Sequence, residues 1–206
     1  RVVVAASYPV PREAAWAKPL DARPASNPYK AGTLFHGPSF QLLRSLAVGG
    51  SGSSGELDAG AGGAPRGHLH EVLLDALTHG IPHDDLSAWS PWVPAGLVAY
   101  PHRVSRLSLY GALPESGTVR CETRFVGFDG EARFPKLQIQ AIAAGEVVAE
   151  LELVEVLFPK GPIGSAKPAD RRAFLRDRAF VEGLTLSSRR GETFLLSEET
   201  VDRKST

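Results

Sequence analysis

Sulfur-containing residues are nearly absent from this sequence: Cys121 is the single cysteine, and there is no methionine. One cysteine cannot form an internal disulfide, so a secreted disulfide scaffold is excluded and a reducing compartment is favoured. Because Cys121 lies in a strand-like run, we interpret it as a buried small apolar residue rather than a nucleophile. The missing initiator methionine and the abrupt start on "RVVV" lead us to expect a piece of a longer polypeptide.

Net charge and long apolar runs are also lacking. The 206 residues include 23 basic and 23 acidic side chains, so nothing in the composition favours nucleic acid or a membrane surface as a partner. No apolar run approaches the roughly 18–20 residues that a membrane span requires, and the N-terminus does not resemble a signal peptide. With 43% hydrophobic and 22% charged residues, the composition is typical of a globular protein, which we expect to be cytoplasmic.

The motifs of several enzyme classes are missing as well. There is no G-x-S-x-G elbow, no P-loop and no G-x-G-x-x-G after a strand, and "GGSGSSG" at 49–55 is predicted to be a flexible turn. Histidines and acids cluster between residues 68 and 85, but no H-E-x-x-H or C-x-x-C spacing is present. His68 and His70 lie two apart on a helix and point in different directions. We therefore predict no metal site.

Residues 68–81, "HLHEVLLDALTHGI", predict the one long helix. Its apolar face is formed by Leu69, Leu73, Ala76 and Leu77. The adjoining face carries His68, Val72, Asp75 and His79. Gly80 and Pro82 are typical helix stops.

Strand-like runs surround this helix. An apolar run at 40–48 and a short return at 56–60 precede it, and four longer runs follow, at 98–109, 117–128, 134–144 and 147–158. Apolar and polar residues alternate in "KLQIQAI" and "VAELELVEV", which indicates an antiparallel sheet with one covered face. A helix and a curved sheet that bury their apolar faces against each other predict an α+β fold of the hot-dog type, with a generic α+β sandwich as the alternative.

The chain divides into three predicted regions. Residues 1–33 include a proline-rich stretch that is interpreted as an extended linker over a surface. Residues 34–160 form the hot-dog domain. Residues 161–206 are predicted to be a linker with a short basic helix and then a hairpin that turns at residues 189–191.

Two short motifs suggest chemistry. Asp75 and His79 are four residues apart and can touch on one helix face, where a partly buried carboxylic acid can have a raised pKa and act as a general acid. The alternative is that this face is simply solvated. The turn at His36, Gly37 and Pro38 can serve the backbone alone, or Gly37 can let a substrate approach the main chain.

Together these stretches resemble a known family. "LFHGPSFQLL", then a helix with "LLDALTHG", then "WVPAGLVAYPHRVSRLSLYG", are similar to the dehydratase domains of modular polyketide synthases and to the dehydratase-like domains of polyunsaturated fatty acid synthases. Those domains are double hot-dogs, and both motifs belong to their second half. The resemblance covers roughly residues 30–160.

The resemblance implies a mechanism. Asp75 would protonate the leaving β-hydroxyl of a 3-hydroxyacyl thioester, and His79 would orient Asp75 by a hydrogen bond. The substrate would arrive on the phosphopantetheine of an acyl carrier protein, with no other cofactor bound, and would leave as a trans-2-enoyl thioester. The implied lining of the acyl tunnel is His36, Gly37, Pro38, Phe40, Val93 and Pro94.

The sequence departs from the family in one respect. The family base is a histidine of an H-x-x-x-G-x-x-x-x-P motif in the first hot-dog, and none of the six histidines here has a glycine four residues later. We therefore expect the second half of a double hot-dog within a multienzyme, in which an N-terminal half or another chain supplies the base, and a dimer. Alone, the chain is predicted to be inactive. The alternatives are a non-catalytic structural or acyl-binding module and a hot-dog thioesterase.

Overall fold

In the computed structural model of the chain, the structure describes residues 6–159 except 12, 65, 66 and 68. It also describes two short strands, β8 (Thr185–Ser187) and β9 (Thr193–Leu195), which pair antiparallel. Their pairing agrees with the predicted C-terminal hairpin. The predicted basic helix between residues 159 and 179 and the predicted turn of the hairpin lie outside the described residues. Among the described residues, no helix is long and apolar enough to cross a membrane.

Seven strands form one antiparallel sheet in the order β1-β2-β3-β5-β6-β7-β4. The strands are β1 (Arg23–Pro24), β2 (Leu43–Val48), β3 (Gly52–Asp58), β4 (Leu97–Leu109), β5 (Thr118–Phe128), β6 (Pro135–Ala143) and β7 (Glu146–Pro159). The last four agree with the predicted runs to within one residue, because the alternation that predicted them is the alternation of a sheet with distinct faces. Register shifts interrupt the β2–β3, β4–β7, β5–β6 and β6–β7 pairs, and such bulges bend the strands in which they occur.

One face of the sheet packs against helix α2 (Glu71–Ala76). Leu73, Ala76 and Leu77 are fully buried in the same core as alternate residues of β6, including Leu137 and Ile139. The thiol of Cys121 on β5 donates to the carbonyl of Leu77, with Sγ and O 3.2 Å apart, so this cysteine is buried between sheet and helix, as predicted. The predicted hot-dog arrangement is confirmed.

Helix α2 is shorter than the predicted helix over 68–81. His70 ends it on the N-terminal side: its Nδ1 accepts from the backbone N–H of Leu73, and its Nε2 donates to the carbonyl of Ala59. A side chain that satisfies a free N–H of the first turn is a helix cap, so Leu69, predicted on the apolar face, lies before the helix and is 40% exposed. Val72, predicted beside Asp75 on the polar face, is buried.

The predicted flexible turn at 49–55 is also wrong in part, because β3 begins at Gly52. A Cβ at Gly52 would lie 2.3 Å from the carbonyl oxygen of Thr123, and one at Gly55 would lie 2.8 Å from Leu43. The glycines therefore permit close strand contacts rather than flexibility. Similarly, the predicted strand over 40–48 starts only at Leu43, after a 3₁₀ turn over Pro38–Phe40.

The opposite face of the sheet is covered by residues 13–17 of the predicted linker. Gln140 of β6 accepts from the backbone N–H of Trp16 and donates to the carbonyl of Ala14, while Arg120 of β5 donates to the carbonyl of Trp16. This segment lies over a surface, as the proline-rich composition predicts. Farther along the predicted linker, β1 pairs with β2, and Tyr29 reaches the core.

Candidate active site

Asp75 and His79 touch as their spacing predicts. His79 Nε2 lies 3.1 Å from Asp75 Oδ2. The side chain of Asp75 is 39% exposed, whereas that of His79 is fully buried. The pair therefore consists of one group that solvent or a substrate can reach and a second group that the core holds in place.

His36 joins this pair from the other predicted motif. Its Nε2 lies 3.4 Å from Asp75 Oδ2, and its ring centroid lies 4.0 Å from that of His79. The side chain of Gln41 donates to the carbonyl of His36 at 2.7 Å, which steadies the turn. Residues that are far apart in sequence thus meet at one carboxylate, and we refer to His36, Asp75 and His79 as the His-Asp-His cluster.

The pKa of Asp75 is lowered, contrary to the raised value that the sequence suggested. Burial raises it, but the hydrogen bond from His79 and the electrostatic influence of His79 and His36 outweigh burial. The pKa of His36 is also lowered, first by burial and then by the neighbouring His79. In this chain at neutral pH the cluster therefore holds an ionised Asp75 and a neutral His36.

Sequence reasoning missed Tyr29, whose hydroxyl lies 2.7 Å from His79 Nδ1. Tyr29 lies on the short helix α1 (Pro28–Ala31), where the Asn27 side chain accepts from the first backbone N–H groups and Gly32 ends the helix with φ 74°. Asparagine before proline and glycine after the last turn are helix start and stop signals. "NPYKAG" could therefore have been recognised as a capped turn, although not as a neighbour of His79.

Sequence reasoning also missed a pair formed by His83, which follows α2 in the chain, and Glu155 of β7. His83 Nδ1 is 2.8 Å from Oε1 of the fully buried Glu155 on β7, and His83 Nε2 lies 3.1 Å from the carbonyl of Thr78. Burial alone would lower the pKa of His83, but the charge of Glu155 and these contacts raise it. His83 therefore lies between Glu155 of β7 and the turn that carries His79.

The other predicted lining residues differ in their surroundings. Gly37 faces open space, since a Cβ there would have nothing within 4 Å. Pro38 is exposed, and Phe40 is 37% exposed with its ring 6.5 Å from that of His36. Val93, in contrast, is buried in the core, and Pro94 is exposed beside it. The contribution of these residues to an acyl tunnel stays a prediction.

The cluster also has the donor set of a metal site. One ligand atom from each of His36, Asp75 and His79 lies within 4.8 Å of the others, and imidazole and carboxylate groups are common ligands of Zn²⁺. The absence of a metal therefore stays a prediction from sequence.

Comparison with known proteins identifies structural neighbours only. No protein-family model matches the chain, and no curated protein sequence does. The dehydratase domain from the CurH module of curacin polyketide synthase matches with 19% identity and a TM-score of 0.52, over 73% of this chain and 56% of that one. The dehydratase domain of the polyketide PpsC from Mycobacterium tuberculosis matches with 18% identity and a TM-score of 0.51, over 69% and 55%.

A third neighbour is the dehydratase domain of RzxB from Pseudomonas fluorescens, with 20% identity and a TM-score of 0.51, over 71% of this chain and 54% of that one. The chain thus spans about half the length of these solved structures. At such identities the likeness shows the fold alone. The chain has the hot-dog fold, and its neighbours are dehydratase domains of polyketide synthases.

Proposed function

We propose that this chain is the acid-bearing half of a double hot-dog dehydratase in a polyketide or polyunsaturated fatty acid synthase. The observation that carries the proposal is the arrangement of Asp75, whose carboxylate is partly exposed while its partner His79 is fully buried. The resemblance of two separate motifs to one family, and their meeting at this carboxylate, support it.

The proposed reaction removes water from a 3-hydroxyacyl group carried on the phosphopantetheine of an acyl carrier protein. A base on the partner hot-dog, which is the N-terminal half or another chain, takes the α-proton, the carbon–oxygen bond at the β-carbon breaks, and Asp75 gives its proton to the departing hydroxyl. The products are a trans-2-enoyl thioester and water. His79 and His36 both approach Oδ2 of Asp75, which leaves Oδ1 to reach the β-hydroxyl.

The lowered pKa of Asp75 sets a requirement for the proposed mechanism. As a general acid, Asp75 must carry a proton, yet its neighbours favour the ionised form. Covering the exposed part of its side chain would withdraw water from the carboxylate and raise the pKa. The proposed mechanism therefore needs a partner surface over Asp75.

The edge strand β4 is the surface that best fits that partner. It spans Leu97–Leu109 at one edge of the sheet, and within the part of the chain that the structure describes no strand pairs with its outer side. Tyr100, Val104 and Leu107 on it are 52%, 55% and 40% exposed. A long edge strand with exposed apolar side chains can pair with another chain or domain, although Pro101, Arg103 and Arg106 on β4 are residue types that oppose such pairing. The backbone N–H of Ala99 donates to the carbonyl of His83 at 2.7 Å, which connects this edge to the active-site side.

The test is to assay a 3-hydroxyacyl thioester with the chain alone and with the chain joined to the partner hot-dog that supplies the base, following loss of water by mass spectrometry. We expect turnover only in the joined form. Asp75→Asn should lower kcat by about 10²–10⁴-fold, the usual contribution of a general acid, without loss of folding.

Two results would contradict parts of the proposal. Turnover by the chain alone that Asp75→Asn abolishes would show that no second hot-dog is needed. Unchanged turnover of the joined Asp75→Asn variant would show that Asp75 is not the acid.

A thioesterase is the second candidate, because an ionised, partly exposed Asp75 can also assist attack by water on a thioester. The same assay separates the two, since hydrolysis releases a free thiol and a carboxylic acid instead of an enoyl thioester. A chain that gives neither product in the joined form, yet binds an acyl carrier protein, would be a structural or acyl-binding module.

A further inference from the structure

We propose that Tyr29 is a positioning residue for Asp75 and acts through His79. The inference rests on the proposed function only in so far as Asp75 reacts with substrate. Its structural content is that the hydroxyl of Tyr29 fixes the tautomer of His79. With that hydroxyl at Nδ1, the ring carries its hydrogen on Nε2, the nitrogen that faces the carboxylate of Asp75.

The contacts form a continuous series. The backbone N–H of Leu43 donates to the Tyr29 hydroxyl oxygen at 3.2 Å, that oxygen lies 2.7 Å from His79 Nδ1, and His79 Nε2 lies 3.1 Å from Asp75 Oδ2. The Tyr29 and His79 rings meet edge to face, with centroids 5.5 Å apart and planes at 89°. Both residues are buried, at 8% and 1% exposed.

The hydrogen positions follow from the chemistry of these groups. An ionised Asp75 can only accept, so His79 Nε2 must carry a hydrogen. In a neutral imidazole Nδ1 is then the acceptor, and the Tyr29 hydroxyl is the donor that it meets. Burial raises the pKa of Tyr29, so its hydroxyl keeps that hydrogen at neutral pH.

Tyr29 is well placed for this role because two contacts secure it. The Asn27 side chain accepts from the backbone N–H of Tyr29 and donates to the carbonyl of Leu43 on β2 at 3.0 Å. The same β2 residue contacts the Tyr29 hydroxyl through its N–H. Helix α1 is thus bound to β2 through both Asn27 and Tyr29.

Without the hydroxyl, His79 Nδ1 would face the core without this donor, and the alternative tautomer or a rotated ring would compete. Either change weakens the contact that holds Asp75 Oδ2. The expected effect is therefore on catalysis rather than on substrate binding, which distinguishes positioning from a general loss of structure.

The direct test is ¹⁵N NMR of the histidine rings in the folded chain, compared with Tyr29→Phe. Tyr110→Phe is the matched control, because it also removes a tyrosine hydroxyl that donates to a side chain, here Glu150 at 2.6 Å, without a contact to His79. We expect His79 to carry its hydrogen on Nε2 in the parent chain and to show a mixture or a charged ring in Tyr29→Phe only. Unchanged His79 resonances in Tyr29→Phe would overturn the proposal.

The second test uses the joined double hot-dog. We expect Tyr29→Phe to lower kcat about tenfold, the equivalent of one hydrogen bond, with KM unchanged, while Tyr110→Phe leaves both values unchanged. Restoring the hydroxyl at residue 29 with 3-fluorotyrosine should restore kcat. A rise in KM with constant kcat would overturn the positioning role.

The two arms also separate this inference from the proposed function. If Asp75→Asn retains full activity but the His79 resonances still depend on Tyr29, the proposed dehydratase mechanism fails and the structural role of Tyr29 stands.

Discussion

Asp75 and Glu122 lie on opposite sides of the same sheet and show two ways to hold a carboxylate. Glu122 is fully buried and accepts from Arg120 at 2.7 Å and from Ser54 at 2.6 Å, with Arg124 3.1 Å away. Asp75 is 39% exposed, and its partners are histidines. Arginine stays charged at every physiological pH, whereas histidine can change its protonation near neutrality.

The difference separates a structural site from a candidate reactive one. Both oxygens of Glu122 are occupied by groups that cannot release their charge, so that carboxylate can only hold the strands and the covering segment together. At Asp75 both histidines approach one oxygen, and an exposed surface remains. A buried carboxylate alone therefore indicates nothing about chemistry; the partners and the open side decide it.

The largest effect on stability should come from Glu122→Gln. It removes the negative charge that pairs with Arg120 and Arg124 and replaces one of the two acceptor oxygens with an NH2 donor, and we expect a loss of about 2–3 kcal/mol. This is below the usual cost of breaking a buried pair, because both arginines are partly exposed. Urea unfolding measures it. Activity per folded molecule should not change, and a large fall in kcat in Glu122→Gln would contradict the division of roles between the two faces.

His36→Phe should give the next largest effect, about a tenfold lower kcat/KM in the joined double hot-dog. The variant removes the imidazole whose Nε2 lies 3.4 Å from Asp75 Oδ2. Steady-state kinetics measures it, with the Asp75→Asn variant assayed in parallel. A loss as complete as that of Asp75→Asn would indicate that His36 is itself the base, and the expectation of a base from a second hot-dog would be wrong.

Acid and alkaline conditions should act on different contacts. The pKa of Asp75 lies below its ordinary value of 3.8, so its contribution to stability is present above that pH and is lost as the pH falls through the lowered value. The pKa of His83 lies above its ordinary value of 6.5, so its contribution is present below that pH and is lost as the pH rises through the raised value.

Thermal unfolding followed downward from pH 3.8 and upward from pH 6.5, the ordinary pKa values of the two groups, checks both signs. Asp75→Asn should flatten the acid side of the profile, and His83→Gln should flatten the alkaline side. An acid side that is equally steep in Asp75→Asn would show that other carboxylates determine it.

Removal of metal ions is expected to have no effect on turnover. Because the proposed mechanism uses protons and no metal, EDTA should leave the turnover of the joined double hot-dog unchanged, although the His-Asp-His cluster has suitable ligand atoms. Metal analysis of the purified protein provides the control. Loss of activity on chelation, restored by Zn²⁺, would contradict the prediction that the site holds no metal.

Much of the fold could be predicted because its signals are local. Alternation in "KLQIQAI" identifies the face of β6 that carries Leu137 and Ile139. Arg120, Glu122 and Arg124 all lie on β5, two residues apart. Because alternate residues of a strand point to the same face of a sheet, their proximity follows from local geometry. The predicted length of the helix was wrong because His70 caps α2. The cap depends on a contact with the distant residue Ala59, and the apolar periodicity of residues 68–81 carries no information about that contact.

The candidate site was predictable where it depends on neighbours in one element and not elsewhere. Asp75 and His79 are one helical turn apart, so their contact follows from helix geometry. Tyr29 is 50 residues from His79, and Glu155 reaches His83 from another strand. The direction of the Asp75 pKa was wrong because the balance between burial, which raises it, and the contacts with His79 and His36, which lower it, is set by the tertiary structure.

The sequence by itself determined the antiparallel strands, the helix that carries Asp75 and the partner His79 on the same face, since each depends on backbone geometry repeated over a few residues. Only the tertiary structure decided that His36 lies beside Asp75, that Tyr29 holds His79, and that Glu122 is closed while Asp75 is open. The physical reason is that packing brings distant segments within hydrogen-bond distance and removes water from some carboxylates but not others, and no local pattern contains that information.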